Sequence, residues 1–287
     1  MGATPAAMSL DAKYAQTEGT VYLTGIQALV RLPVDQHRAD LRRGLRTATF
    51  ISGYRGSPLG GLDLILEREA ALLQQHDIVF SSGLNEDLAA TAVAGSQLLH
   101  AFPGPKYDGV LGMWYGKSPG VDRSGDALKH GNYAGVGKNG GVLVLAGDDP
   151  LCKSSTLPSH SEVALYDALI PTLYPGNSQE VLDLGLYGFL LSRAAGLWAA
   201  MKIVTNVADE AGTIEVAPDR INPIIPVVEF DGRPFEPRIS LMAVPPHSLE
   251  MERSLHYARL ELARRFAWEN RLNRIVTPTK DAWLGIL

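Results

Sequence analysis

Cysteine is almost absent from this 287-residue chain, which has Cys152 as its single thiol. One thiol excludes an intramolecular disulfide. It also excludes an iron–sulfur cluster bound by this chain alone, because such a cluster usually takes four thiolates. Lack of disulfides is typical of proteins in a reducing compartment, so we expect a cytoplasmic protein.

Long apolar runs and a strong net charge are absent as well. No apolar segment reaches the roughly 20 residues that a membrane-spanning helix needs, and residues 1–10 lack the basic start and apolar run of a secretory signal. The net charge of −5 gives no overall field that would hold nucleic acid or an anionic membrane. We therefore expect no nucleic-acid partner and no membrane partner.

Short apolar segments alternate with segments of helical periodicity over the first two thirds of the chain. The β-rich segments are residues 47–52, 77–81, 109–115, 141–146 and 200–205. The helical segments are residues 62–74, 85–99 and 178–193. This alternation predicts an α/β fold with a doubly wound, mostly parallel sheet and helices on both faces.

The chain divides into four predicted regions. Residues 1–20 are expected to form a flexible arm, residues 21–210 the main domain, and residues 211–247 a proline-rich linker with irregular strands. A long amphipathic helix over residues 248–270, capped by Ser248, is predicted to open the last region. Residues 281–287 have the composition of half a buried strand, so we expect an incomplete C-terminal extension and a truncated chain. The basic residues within 33–46 suit either a binding patch or a solvated helix face, and the solvated face is favoured because the run is short and no aromatic residues interleave.

A glycine-rich loop over residues 53–61 follows the first predicted strand of the main domain, where α/β sheets bind their ligands. It has neither the Gly-Lys-Ser/Thr of a phosphate-binding loop nor the glycine spacing of a dinucleotide-binding turn. A ligand-binding loop and an ordinary strand-to-helix turn are equally open.

Two acidic residues begin the helix predicted after the second strand of the main domain. Asn85 is expected to be its N-cap, which places Glu86 and Asp87 in the first turn. Exposed acids that complement the helix dipole are the common explanation for such residues. The small residues that follow favour close packing, however, and a buried Glu86 would need a partner or a proton.

Two further polar groups follow predicted strands. Lys117 and His130 lie in a glycine-rich stretch that suits the rim of a site and equally a solvated loop. Asp148 and Asp149 could bind Mg²⁺, although paired aspartates at a strand end more often form turns. The seven histidines show no zinc-ligand spacing, so we predict no metal site within this chain.

These segments, in this order, resemble the α-type chain of the indolepyruvate ferredoxin oxidoreductases, a family of 2-oxoacid:ferredoxin oxidoreductases. The resemblance covers about residues 24–209. It rests on a Gly-Tyr-x-Gly-Ser/Thr-Pro motif, an Asn-Glu pair that opens a small-residue helix, and a Gly-Asp-Asp-Pro motif followed by two serines. In this chain the motifs are Gly53-Tyr54-Arg55-Gly56-Ser57-Pro58, Asn85-Glu86, and Gly147-Asp148-Asp149-Pro150 with Ser154-Ser155.

The resemblance implies the thiamine-diphosphate-binding fold, with this chain as its pyrimidine-binding domain. It implies that Glu86 is the catalytic acid that hydrogen-bonds N1′ of the cofactor's aminopyrimidine ring. Lys117 and His130 are expected on the substrate side. The expected cofactor-binding residues are Gly53, Tyr54, Gly56, Ser57, Pro58 and Asn85.

The activity implied is oxidative decarboxylation of a 2-oxoacid, an aryl pyruvate such as indolepyruvate, with electrons passed to ferredoxin. The Gly-Asp-Gly motif for diphosphate and Mg²⁺ is absent, since residues 125–127 read Gly-Asp-Ala. The diphosphate-binding domain and the iron–sulfur clusters are therefore expected elsewhere in a larger, homodimeric enzyme, and the isolated chain is expected to be inactive.

Three alternatives stay open on the sequence. One is another thiamine-diphosphate enzyme, such as a pyruvate or 2-oxoglutarate oxidoreductase or a decarboxylase. The second is a non-catalytic α/β ligand-binding domain, in which Glu86 would be exposed to solvent. The third is a partner-binding piece that docks through residues 281–287.

Overall fold

A computed structural model describes residues 12–152, 157–158, 160–275, 280 and 283–284. Within these residues the strands are β1 (Gly19–Thr24), β2 (Thr47–Gly53), β3 (Ile78–Phe80), β4 (Gly109–Lys117), β5 (Gly141–Asp148), β6 (Thr172–Leu173), β7 (Trp198–Val204), β8 (Ala211–Val216), β9 (Glu229–Phe230) and β10 (Arg233–Pro234). The α-helices are α1 (Ala12–Ala15), α2 (Gly25–Arg42), α3 (Leu62–Arg68), α4 (Ala70–Gln75), α5 (Glu86–Ser96), α6 (Ser118–Arg123), α7 (Gly125–Ala134), α8 (Ser161–Asp167), α9 (Ser178–Ala195), α10 (Thr205–Asp209), α11 (His247–Ser254) and α12 (Leu260–Glu269). A 3-10 turn (Leu99–Ala101) follows α5, and a π-helical turn (Leu255–Arg259) joins α11 to α12.

A six-stranded sheet lies at the centre of the fold, in the order β3-β2-β4-β5-β7-β6. Every neighbouring pair in it is parallel, and helices cover both faces, which confirms the predicted α/β fold. The chain runs outward from β2 to β3 and then crosses to β4 on the other side of β2. In such sheets the ligand crevice lies at the carboxyl ends of the strands beside this reversal.

The two faces of the sheet belong to two apolar cores. Along β4 the side chains alternate, as strand geometry requires. Met113 and Tyr115 join the larger core, which α2 and α9 cover. Trp114, on the opposite face, is fully buried against the small residues Ala90 and Val93 of α5. The small side chains of α5 let that helix approach the sheet closely, and its first residue comes with it.

The strand and helix predictions for the main domain agree with the structure. The long helix begins at His247 after Pro246, with no side-chain cap, so the predicted capping role of Ser248 is wrong. The segment predicted as a linker with irregular strands contains β8, which pairs antiparallel with β1, and the short strands β9 and β10. The predicted solvated face of α2 is wrong for His37, which is buried, and right for Arg42. Of the predicted strand over residues 281–287, only 283–284 lie within the described residues, and residues 1–11 of the predicted arm lie outside them.

Candidate functional site

The loops after β2, β3, β4 and β5 converge at the carboxyl edge of the sheet. The backbone N–H of Tyr54 donates to the carbonyl of Tyr115 at 3.0 Å, and that of Gly83 donates to the carbonyl of Gly53 at 2.9 Å. At Gly147 an added Cβ would lie 3.0 Å from Cδ of Pro58. The structure thus brings together the segments that the sequence separates by up to about a hundred residues.

Glu86 is the first residue of α5 and lies at the centre of this edge. The side chain of Asn85 accepts a hydrogen bond from the backbone N–H of Leu88 at 2.9 Å, which confirms Asn85 as the N-cap. Glu86 is only 8% exposed. Its carbonyl oxygen accepts a hydrogen bond from Nε1 of the buried Trp114 at 2.9 Å. The N-cap and this hydrogen bond together fix the backbone position from which the Glu86 side chain extends.

Two glycines make room for the Glu86 side chain across the turn from β4 to α6. A Cβ added at Gly120 would lie 2.6 Å from Cγ and 2.7 Å from Oε1 of Glu86. A Cβ added at Gly116 would lie 2.6 Å from the Trp114 ring and 3.4 Å from Cγ of Glu86. We call Glu86, Gly116 and Gly120 the Glu86 cleft. Neither glycine nor Trp114 is among the site residues predicted from the sequence, although two glycines four residues apart at a strand-to-helix turn are a usable signal.

The predicted cofactor loop lies beside this cleft. At Gly53 a Cβ would be 2.1 Å from the carbonyl oxygen of Tyr115, and at Gly56 it would be 2.8 Å from Cδ of Lys117. Both glycines therefore allow approaches that a larger residue would block. The Ser57–Pro58 peptide is cis, and Tyr54 is 39% exposed at the surface of the loop. The loop thus packs on Lys117, the residue before α6, which carries Gly120.

His130 lies in a different place. It is on the exposed side of α7, where its Nδ1 is 3.3 Å from Oδ1 of Asp126 and its side chain is 69% exposed. It borders a groove between α7 and the start of α11, together with Tyr133 and Leu249. Its described contacts are with this groove rather than with the Glu86 cleft.

Asp148, the last residue of β5, makes polar contacts with α8 and β7. Both oxygens of Asp148 accept hydrogen bonds from Ser161, and Nζ of Lys202 on β7 lies 3.3 Å from Oδ2. Lys202 also donates to Glu162. Burial lowers the pKa of Lys202, but the two carboxylates outweigh burial and raise it above the ordinary lysine value. The Ser154-Ser155 part of the motif lies outside the described residues. Within the described part of the chain no group of three or more acidic, His or Cys side chains could hold a metal ion.

Comparison with known proteins finds distant sequence similarity to indolepyruvate oxidoreductase subunits. No family model matches the chain. It is 26% identical over 267 residues to the indolepyruvate oxidoreductase subunit IorA of Methanothermobacter marburgensis, covering 93% of this chain and 38% of that subunit. It is 27% identical over 277 residues to the IorA subunit of Methanothermobacter thermautotrophicus, covering 96% of this chain and 40% of that subunit.

A solved structure shows the same fold. The 2-oxoglutarate:ferredoxin oxidoreductase from Magnetococcus marinus superposes with a TM-score of 0.57 at 12% sequence identity, over 87% of this chain and 46% of that one. By sequence the chain is distantly similar to the IorA subunits, and it spans about two fifths of their length. Within the described ranges, no helix is long and apolar enough to cross a bilayer.

Proposed function

We propose that this chain is the pyrimidine-binding part of a thiamine-diphosphate-dependent 2-oxoacid oxidoreductase whose substrate is an aryl pyruvate such as indolepyruvate. The observation that carries the proposal is the buried Glu86 at the start of α5, held in a cleft that Gly116 and Gly120 open for it. The distant homology to the IorA subunits supports the class of substrate.

Two features of the carboxyl edge support a polar ligand at this place. The Glu86 side chain is faced by two glycines, and no residue larger than glycine could stand at position 120 without displacing the side chain of Glu86. Ser118, between the two glycines in sequence, is 2% exposed, and its hydroxyl has no hydrogen-bond partner among the described residues. A buried hydroxyl without a partner destabilises the protein by about 1–3 kcal/mol, so a polar ligand that reaches it would offset that cost.

Thiamine diphosphate, when bound, supplies the electron sink for decarboxylation of a 2-oxoacid. The part of this chain is to orient the aminopyrimidine ring and to hold a proton at its N1′ through the Glu86 carboxyl. Asn85 fixes the backbone at the helix start and Trp114 fixes the Glu86 carbonyl. Burial of Glu86 keeps water away from that proton, and general acid–base groups of this kind contribute about 10²- to 10⁴-fold to a rate.

The cofactor loop and Lys117 complete the proposed site. Gly53, Tyr54, Gly56, Ser57 and Pro58 form one wall, since this loop packs on β4, β5 and Lys117. We assign Lys117 to the substrate side of the proposed site, because its side chain lies against Gly56 of the loop and it directly precedes α6, which carries Gly120. His130 is not part of this proposed wall, because its contacts lie on the far side of α7.

The remaining chemistry is assigned to other parts of the enzyme. Diphosphate and Mg²⁺ are proposed to bind a separate domain, and electrons are proposed to pass through iron–sulfur clusters outside this chain to ferredoxin. This chain covers only 38% and 40% of the length of the two IorA subunits. An enzyme of that length has room for such domains. A homodimer is part of the same proposal.

The proposal is tested with the complete enzyme that contains this chain. Reduction of ferredoxin is followed with indolepyruvate, phenylpyruvate, pyruvate and 2-oxoglutarate, each with and without thiamine diphosphate. The proposal expects turnover that requires the cofactor and a higher kcat/KM for the two aryl pyruvates. Preference for pyruvate or 2-oxoglutarate would assign the chain to the alternative oxidoreductases, and turnover without the cofactor would contradict the proposal. The alternative of a non-catalytic domain is disfavoured, because it expects Glu86 to be exposed to solvent and Glu86 is buried.

A further inference from the structure

A cavity of about 520 Å³ lies away from the Glu86 cleft, between the β9–β10 hairpin and α11. Its size is within the range of about 300–1,000 Å³ that is typical of small-molecule sites. Phe230 and Phe235 form an apolar wall, with ring centroids 6.0 Å apart in an edge-to-face arrangement, and the buried Met251 adds to it. Arg233, Arg238 and Arg259 also line this space, which we call the Arg259 cavity.

Arg259 is a buried cation that has no carboxylate partner in the described part of the chain. Its side chain lies in the π-helical turn between α11 and α12 and is 3% exposed. Nη1 donates to the carbonyl oxygens of Asn132, Tyr133 and Gly196, at 3.3, 3.0 and 3.4 Å, and Nε donates to the Ser254 hydroxyl at 3.1 Å. These carbonyls end α7 and α9, where helix dipoles favour positive charge.

The second terminal nitrogen of Arg259, Nη2, is the one without a hydrogen bond among the described residues. Helix carbonyls alone do not replace the lost hydration of the guanidinium, since burial lowers its pKa to about 10. A buried cation with unused N–H donors is destabilised until an anion or water reaches it.

Among the described residues that line the cavity, Arg259 is the buried cation without a carboxylate partner, whereas Arg233, which also has none, is exposed to solvent. Glu236 also borders the cavity and has a cation near it, Arg238 at 4.0 Å. Glu250 borders it as well and is held by Arg253, outside the cavity, at 3.0 Å. The acidic side chains at the rim are therefore already paired, and they do not serve Arg259.

We propose that the Arg259 cavity binds a small organic anion, with its acid group on Arg259 and its apolar body against Phe230 and Phe235. Arginine presents paired N–H donors that suit the oxygens of a carboxylate or a phosphate. The aromatic wall selects a ligand with an apolar body over a bare inorganic ion. This site is separate from the proposed thiamine site and does not depend on it.

The test titrates the full chain calorimetrically with phenylacetate and, separately, with inorganic phosphate, at constant ionic strength set with chloride. The proposal expects saturable binding of phenylacetate to one site, tighter than that of phosphate. In the double variant Arg233→Gln/Arg238→Gln, both at exposed rim positions, we expect the dissociation constant for phenylacetate to rise by about fivefold to tenfold, the scale of charge-assisted contacts at a rim. Arg259→Lys keeps the positive charge but not the forked donor, and it should weaken binding further.

Arg264→Gln is the matched control, because Arg264 is an exposed arginine of α12 that pairs with Glu261 outside the cavity. It removes the same charge as each rim substitution and should leave the affinity unchanged. Absence of saturable binding at phenylacetate concentrations up to about 10 mM would overturn the proposal, since even a minimal site has a roughly millimolar dissociation constant. So would equal affinity for phosphate, or equal effects of the Arg264 and rim substitutions. If Arg259→Lys does not fold, the rim variants still decide the outcome.

Discussion

Substitution of Gly120 by alanine is expected to displace the Glu86 carboxylate without unfolding the protein. The added Cβ would lie 2.6 Å from Cγ of Glu86, so the two groups must separate by about 0.8 Å before they reach the 3.4 Å of ordinary contact. Such overpacking destabilises a protein by about 1–3 kcal/mol. A misplacement close to 1 Å at a catalytic group lowers rates by up to about 10²-fold. We therefore expect thiamine-dependent turnover to fall by one to two decades.

Gly125→Ala is the matched control for this substitution. Gly125 is the first residue of α7, five positions along the chain, and an added Cβ there has no atom within 4 Å. Turnover of both variants is measured in the complete enzyme, and folding is checked by circular dichroism and urea denaturation. Equal turnover of the Gly120 and Gly125 variants would refute the claim that the position of the Glu86 side chain matters for the reaction.

Two other predictions concern stability. Asp40, which is fully buried, accepts two hydrogen bonds from Arg193, at 2.8 and 2.7 Å. Asp40→Ala should therefore lower the free energy of unfolding by about 3–5 kcal/mol in urea denaturation. Asp167→Ala, in an exposed pair with Lys129, should change it by less than about 1 kcal/mol, and equal losses would contradict this prediction. Burial and nearby positive charge lower the pKa of His76 to about 4 from 6.5, so its unfolded form binds a proton first as the pH falls. Stability should thus decrease from about pH 6.5 towards pH 4, and less so in His76→Gln; identical pH profiles would contradict this.

The alternation of apolar and amphipathic segments was enough to predict the fold, because a parallel sheet buried on both faces requires near-continuous apolar strands such as β5. Asn85 could be predicted as an N-cap from its position before an alanine-rich helix. The same helix indicated the burial of Glu86, since small residues allow close approach to the sheet.

The contacts across the chain could not be read from local patterns. Gly120 lies 34 residues after Glu86, and only the fold shows that they touch. The charged segment within α2 was predicted to be solvated, but His37 and Asp40 face the sheet and α9, and Asp40 has a partner 153 residues away in Arg193. Ser248 was a good capping residue by type, yet the backbone begins the helix one residue earlier at His247.

The most direct test of the proposed function is the substitution Glu86→Gln in the complete enzyme, with Asp87→Asn as its control. Both changes replace a carboxyl group in the first turn of α5 by an amide of the same size, but only Glu86 lies against Gly120. Turnover of indolepyruvate with thiamine diphosphate and ferredoxin is measured for each, with folding verified. The account predicts a loss of about two or more decades for Glu86→Gln and little change for Asp87→Asn. Unchanged turnover in Glu86→Gln would contradict the assignment of Glu86 as the group that holds the proton at the cofactor.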